Sequence, residues 1–191
     1  MTRTRRATVA MLLVGLAIFS SLYSTQAILP TLVQNMGLSS TEAAMTVSAA
    51  TGALALCVVP ASILSERFGR GRILLISAVS ATSVGLIVPL AAEGWHLILL
   101  RGLQGALLSG APATAMAWLS EELDDKALPR AMGLYIAGTS VGGLTGRLIP
   151  TGLVEISTWR WALFGSALVS LAFAITSWLL LPAQRIFRPK S

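Results

Sequence analysis

Six long apolar runs divide this chain, at residues 7–29, 43–64, 73–92, 95–119, 131–153 and 161–181. A helix needs about 20 apolar residues to cross ~30 Å of hydrocarbon, and every run reaches that length. Hydrophobic residues make up 54% of the sequence and charged residues only 12%, where soluble domains carry about a quarter charged. A water-soluble chain of 191 residues has too little interior to hide so much apolar surface, so the expected solvent is lipid. Lipid leaves no partner for a free backbone N–H or C=O, and the strands of a barrel would alternate in polarity. The pattern therefore predicts an all-α membrane protein of six transmembrane helices. Short connections make neighbouring helices antiparallel.

Charge gives the direction. Arg3, Arg5 and Arg6, then Arg67, Arg70 and Arg72, then Lys126 and Arg130, then Arg185, Arg188 and Lys190 all fall on one side of the six crossings. The loops of the other side offer Arg160. By the positive-inside rule both termini are expected in the cytoplasm, with Trp95, Trp159 and Trp161 at the opposite interface. The net charge of +6 is thus read as a topology code; the cations rim apolar runs and form no polar face for nucleic acid. Met1–Arg6 followed by an apolar run is also how a signal peptide begins, but the run 7–29 is too long for one and five more follow. The lone Cys57 excludes a disulfide framework.

A weak echo links the second and fifth runs at an offset of 90 residues, pairing Gly52 with Gly142, Pro60 with Pro150 and Arg70 with Arg160. An offset of three helices is odd, so the copies would sit upside down relative to one another, as in the 3+3 inverted repeats of many transporters. Chance similarity between apolar runs containing Gly and Pro is the competing account.

Several motifs carry chemistry. Between the second and third runs lies Ser65-Glu66-Arg67-Phe68-Gly69-Arg70-Gly71-Arg72. Gly69 and Gly71 suit a tight turn, and Glu66 at a helix end can pair with Arg67 or Arg70 and hold one conformation. An ordinary positive-inside loop is the plainer account. Arg101 and Gln104 lie inside the fourth run, about two turns from Trp95 and nearly on one face. A guanidinium there needs a partner or water, so it is expected to face the bundle interior, unless it snorkels to the interface. The fifth run carries Gly138, Gly142 and Gly146 at every fourth position with Gly143 and Arg147 beside them, a stripe that admits close helix approach. Arg147 could pair with Glu155 or snorkel. The acidic stretch Glu121-Glu122-Leu123-Asp124-Asp125 could bridge to Arg67 and Arg70 or lie solvated. The first run is unusually polar from Ser20 to Gln26.

These motifs resemble the major facilitator superfamily. Residues 62–72 are similar to its loop pattern Gly-x-x-x-Asp-Arg-x-Gly-Arg-Arg, with Ser62 and Glu66 replacing Gly and Asp. Arg101-Gly102-Leu103-Gln104-Gly105 resembles its Arg-x-x-Gln-Gly. The run from Gly138 to Arg147 is similar to its antiporter motif Gly-x-x-x-Gly-Pro-x-x-Gly-Gly, though Gly143 stands in place of proline and Arg147 in place of the last glycine. Within the superfamily the likeness is to bacterial inner-membrane proteins of the arabinose-efflux-permease-like branch. The resemblance implies a secondary transporter in the inner membrane, with proton-coupled efflux of a small organic solute, no cofactor, and a cavity lined by the first and fourth helices. It makes Tyr23, Gln26, Arg101 and Gln104 the candidate lining set. It also implies a second six-helix half, either a C-terminal continuation or another copy, with residues 182–191 starting the linker or tail. A non-transporting subunit that only assembles with another bundle is the alternative. An enzyme is not expected: the sequence offers no His and acid cluster for a metal and no nucleophile with a base, and His96 reads as structural. Glu66, Glu93 and Glu155 stand at the edges of the runs, so a proton carrier within a span is not evident.

Overall fold

A computed structural model of the chain describes residues 2–185. Arg188 and Lys190, counted above for topology, and the tail from residue 186 onward lie outside the described residues. Among the described residues every regular element is helical: α1 (Arg3–Tyr23), α2 (Leu29–Met36), α3 (Ser40–Phe68), α4 (Arg70–Ile87), α5 (Gly94–Leu108), α6 (Gly110–Glu122), α7 (Leu128–Ile156) and α8 (Trp159–Leu180). Short 3-10 turns at Gln26–Ile28 and Val88–Leu90 follow α1 and α4. The helices form six rods running back and forth, with α1–α2 as the first and α5–α6 as the fourth.

Local chemistry sets the boundaries. At the start of α3, the Glu42 N–H donates to Ser39 Oγ (3.2 Å) while Glu42 Oε2 accepts from the Ser39 N–H (2.8 Å), a reciprocal capping box. Gly69, at φ 99°, is the single residue between α3 and α4 and occupies backbone space that other residues avoid. Gly71 does not turn the chain, contrary to expectation. It lies within α4, and a Cβ there would stand 2.9 Å from the Trp118 indole nitrogen, so its smallness serves packing.

Two rods break where proline removes a donor. Pro30 cannot donate back to Gln26 and its ring crowds that carbonyl, so α1 ends and a 3-10 turn intervenes before α2. Pro112 acts likewise on Leu108, splitting the fourth rod at Ser109. By length and composition Arg3–Met36, Ser40–Phe68, Arg70–Leu90 and Trp159–Leu180 are long and apolar enough to cross a membrane. The fourth rod misses because of its break, and α7 is diluted by glycine.

The first rod is the axis of the bundle, with α7, α8 and α4 packed around it. Three glycines spaced four residues apart on α7 lie against α1: Gly138 meets Leu12, Gly142 meets Gly15 and Leu16, and Gly146 meets Ser20, all backbone to backbone. Gly105 of α5 meets the Ala50 backbone of α3 in the same way. By contrast α3 is hardly covered, with Leu56, Val59 and Ile63 exposed, and α7 leaves Ile136, Val141, Leu144 and Leu148 exposed. One core centres on Met11, Val14, Ile18, Leu74, Trp118 and Tyr135. A second, at the end away from the termini, gathers Ile28, Leu32, Leu97, Leu163 and Trp159. Trp159 is thus a core residue beneath Arg160 (4.3 Å from guanidinium to ring), while Trp95 and Trp161 are exposed.

Candidate functional site

The polar stretch at the end of α1 organises two separate clusters. The last four carbonyls of a helix have no partner within it, and the break before Pro30 leaves those of Ser21 and Leu22 turned into the bundle. Arg101 on α5 takes them. Its Nη1 donates to Ser21 O (3.0 Å) and to Gln104 Oε1 (2.5 Å), its Nη2 to Leu22 O, and its Nε to Thr46 O on α3 (3.4 Å). Gln104 Nε2 in turn donates to Ser21 Oγ (2.7 Å) and to Ala81 O on α4 (3.2 Å). Four rods are tied at one level by two side chains that are almost wholly buried, and the positive guanidinium sits at the negative end of the α1 dipole. The Ser20 and Ser170 hydroxyls, 2.8 Å apart, carry the same polar layer to α8.

Tyr23 and Gln26 are not part of this clamp. They meet Arg147 instead: its Nε donates to Gln26 Oε1 (3.0 Å), its Nη1 to Gly143 O (2.9 Å), and its guanidinium carbon stands 4.2 Å from the centre of the Tyr23 ring. Gly143 faces that ring, where a Cβ would lie 3.4 Å from it, so this glycine belongs to the cluster and not to the stripe against α1. Gln26 is exposed and Tyr23 and Arg147 are half-buried. The expected pairing of Arg147 with Glu155 does not form. The four residues grouped from sequence as one lining set thus fall into a sealed pair, Arg101 and Gln104, and an open pair, Tyr23 and Gln26. Sequence inspection passed over Thr46 and Ser21 as partners; the one signal was a hydroxyl within an apolar run.

At the end of the bundle where residues 3 and 183 meet, ion pairs join the rods. Arg70 reaches across from α4 to Glu121 on α6 (2.6 Å) and back to Glu66 (3.7 Å), and the Gln184 amide donates to Glu121 (3.3 Å). Arg3 pairs with Glu122, whose other oxygen accepts from the Arg185 N–H (2.7 Å). The acidic patch therefore bridges to Arg70 and Arg3; Arg67 is exposed beside them. Among the described residues no group of His, Cys, Asp or Glu is placed to hold a metal.

A helical bundle broken at two prolines, with an arginine clamped in its interior and an arginine-latched loop at one end, belongs to a known class. The chain is a member of the Major Facilitator Superfamily, whose family model matches residues 11–191. It is 37% identical over 187 residues to the inner membrane transport protein YnfM of Escherichia coli (strain K12), covering 97% of this chain and 45% of that protein. It is 32% identical to the MFS-type transporter YybF of Bacillus subtilis (strain 168), covering 97% of this chain and 46% of that one. The chain spans about half the length of these relatives. Its fold matches a bacterial homologue of the human lysosomal transporter Spinster in an inward-facing, occupied conformation, with a TM-score of 0.76 and 18% identity over 97% of this chain and 46% of the other.

Proposed function

We propose that this chain is the N-terminal half of a secondary transporter that moves a small organic solute across the bacterial inner membrane by proton-coupled efflux. On this reading all six rods cross the bilayer, the end carrying the termini is cytoplasmic, and a second six-helix half packs against the thinly covered faces of α3 and α7. One observation carries the proposal: Tyr23, Gln26 and Arg147 form a polar cluster beside the exposed Val141, Leu144 and Leu148 of α7. Lipid is a poor neighbour for such a cluster, whereas a water-filled cavity or a second bundle suits it. The 3+3 arrangement has support of its own. α3 and α7 are each 29 residues long. The close glycine contacts pair the first rod with the fifth and the fourth with the second, as a twofold exchange of the halves requires, and Gly15 and Gly105 sit at the same 90-residue offset as the other matches.

Within this scheme Arg101 and Gln104 set the shape of the cavity wall, and Glu66, Gly69, Arg70 and Glu121 latch the cytoplasmic end, with Arg67 facing the second half. Rocking needs a second bundle to rock against. Proteoliposomes holding the longer protein that contains this chain should show solute flux driven by an imposed pH gradient, and proteoliposomes holding residues 1–191 alone should show none. Coupled flux by the short chain as a monomer would overturn the half-transporter assignment.

A further inference from the structure

The two deep arginines differ in what they have left to offer. Arg101 spends donors of all three guanidinium nitrogens on Thr46, Ser21, Gln104 and Leu22, and it has no exposed surface. Nothing entering from outside can reach it. Arg147 spends Nε on Gln26 and one Nη1 hydrogen on Gly143. Its Nη2 donates to no group among the described residues, and no carboxylate there forms an ion pair with it. The Nη1–Nη2 edge of a guanidinium is one that grips a carboxylate through two parallel hydrogen bonds.

The surroundings fix that edge in place. Tyr23 lies beneath the guanidinium plane at 4.2 Å and Gln26 holds its inner edge, so the fork is oriented before any ligand arrives. Phe19, with its ring centre 6.2 Å from that of Tyr23, extends an apolar wall beside it. Gly143 lets ring and guanidinium approach one another: a Cβ there would stand 3.4 Å from the Tyr23 ring and 3.6 Å from Arg147 Nη1. The position is deep: nine residues separate Arg147 from the end of α7 at Ile156, about 14 Å at helical rise. A half-buried cation at that depth without a counter-ion is costly, and an anion relieves it.

We infer that Arg147 is the solute-contacting cation of this transporter and that its solute is an organic carboxylate with a flat apolar body seated against Tyr23 and Phe19. This rests on the transporter assignment made above. Arg101, which the sequence suggested for the role, holds the wall.

The test uses benzoate as probe, with neutral benzamide and cationic benzylammonium as controls, titrated calorimetrically into the purified chain in lipid nanodiscs. Saturable benzoate binding is expected, at least tenfold tighter than either control. Arg147→Lys should weaken it about tenfold, because an ammonium lacks the fork, and Arg147→Gln should abolish it. Tyr23→Leu, which removes the flat seat while keeping the charge, should weaken it at least tenfold, and so covers the case in which Arg147→Gln fails to fold. Benzoate held no better than benzamide, or held equally by the Arg147→Gln and parent proteins, would overturn the inference. The two proposals fail separately: flux by the longer protein without benzoate binding sinks this one alone, and benzoate binding without flux sinks the transporter assignment alone.

Discussion

Arg101 and Arg147 look alike in sequence, each a cation inside an apolar run, and the fold gives them opposite work. Arg101 makes four hydrogen bonds in a site closed to solvent, and removing it takes a buried donor from the Ser21, Leu22 and Thr46 carbonyls and from Gln104 Oε1. Arg101→Ala should destabilise the chain by about 3 kcal/mol, since a buried hydrogen bond to a charged group contributes roughly 1.5–3 kcal/mol. Unfolding by SDS titration in mixed micelles measures this, and a loss under about 0.5 kcal/mol would remove the clamp from the account. The Arg70–Glu121 pair is part-exposed, so Arg70→Gln should cost less than about 1 kcal/mol in the same assay. A larger loss would mean that the latch is structural in the isolated half. The need of Arg101 for an interior partner was legible from its place in an apolar run. Its partners were not, because three of the four acceptors are backbone carbonyls, which leave no mark in a sequence. Arg147 and Gln26 are 121 residues apart, and only the packing of α7 on α1 brings them together.

Among the elements, the contact of α7 with α1 depends on what is missing from three glycines. A Cβ at Gly146 would meet the Ser20 backbone at 2.5 Å, and one at Gly142 the Gly15 carbonyl at 2.8 Å; at Gly152, on the same helix, it would meet nothing within 4 Å. Gly146→Ala should therefore destabilise by about 1–3 kcal/mol through overpacking. Gly152→Ala should be neutral or stabilising by up to about 1 kcal/mol, the helix-propensity difference between the two residues. Equal effects in thermal melts of the two variants would show that the stripe carries no close contact. The stripe was readable because a four-residue period of glycine has few other uses. The rod breaks were readable in principle from Pro30 and Pro112, but a hydropathy run hides them, since proline barely interrupts an average taken over 20 residues. Trp159 was misplaced for a related reason: composition puts an indole at a helix end, while Arg160 above it and the pocket of Val88 and Leu163 below draw this one inward.

Taken whole, the molecule is six rods whose two described ends meet, Arg3 donating to the Ala183 carbonyl (3.1 Å), with α3 left largely uncovered along its length. The shared end of the six rods was the most legible property of all, because six apolar runs joined by short connections run back and forth and bring the first and last to one side. The uncovered faces were not legible, since a residue against lipid and one against a partner bundle are equally apolar. Topology is the claim on which transporter, cavity and latch all depend. It is measured by placing single cysteines at Thr4, Ala183, Glu93 and Ser157 in a Cys57→Ser background and treating intact cells with a membrane-impermeant maleimide. Labelling at Glu93 and Ser157, with Thr4 and Ala183 protected until the membrane is opened, is the predicted result. Labelling of Thr4 and Ala183 to different extents in intact cells would put the two ends on opposite faces and contradict the account.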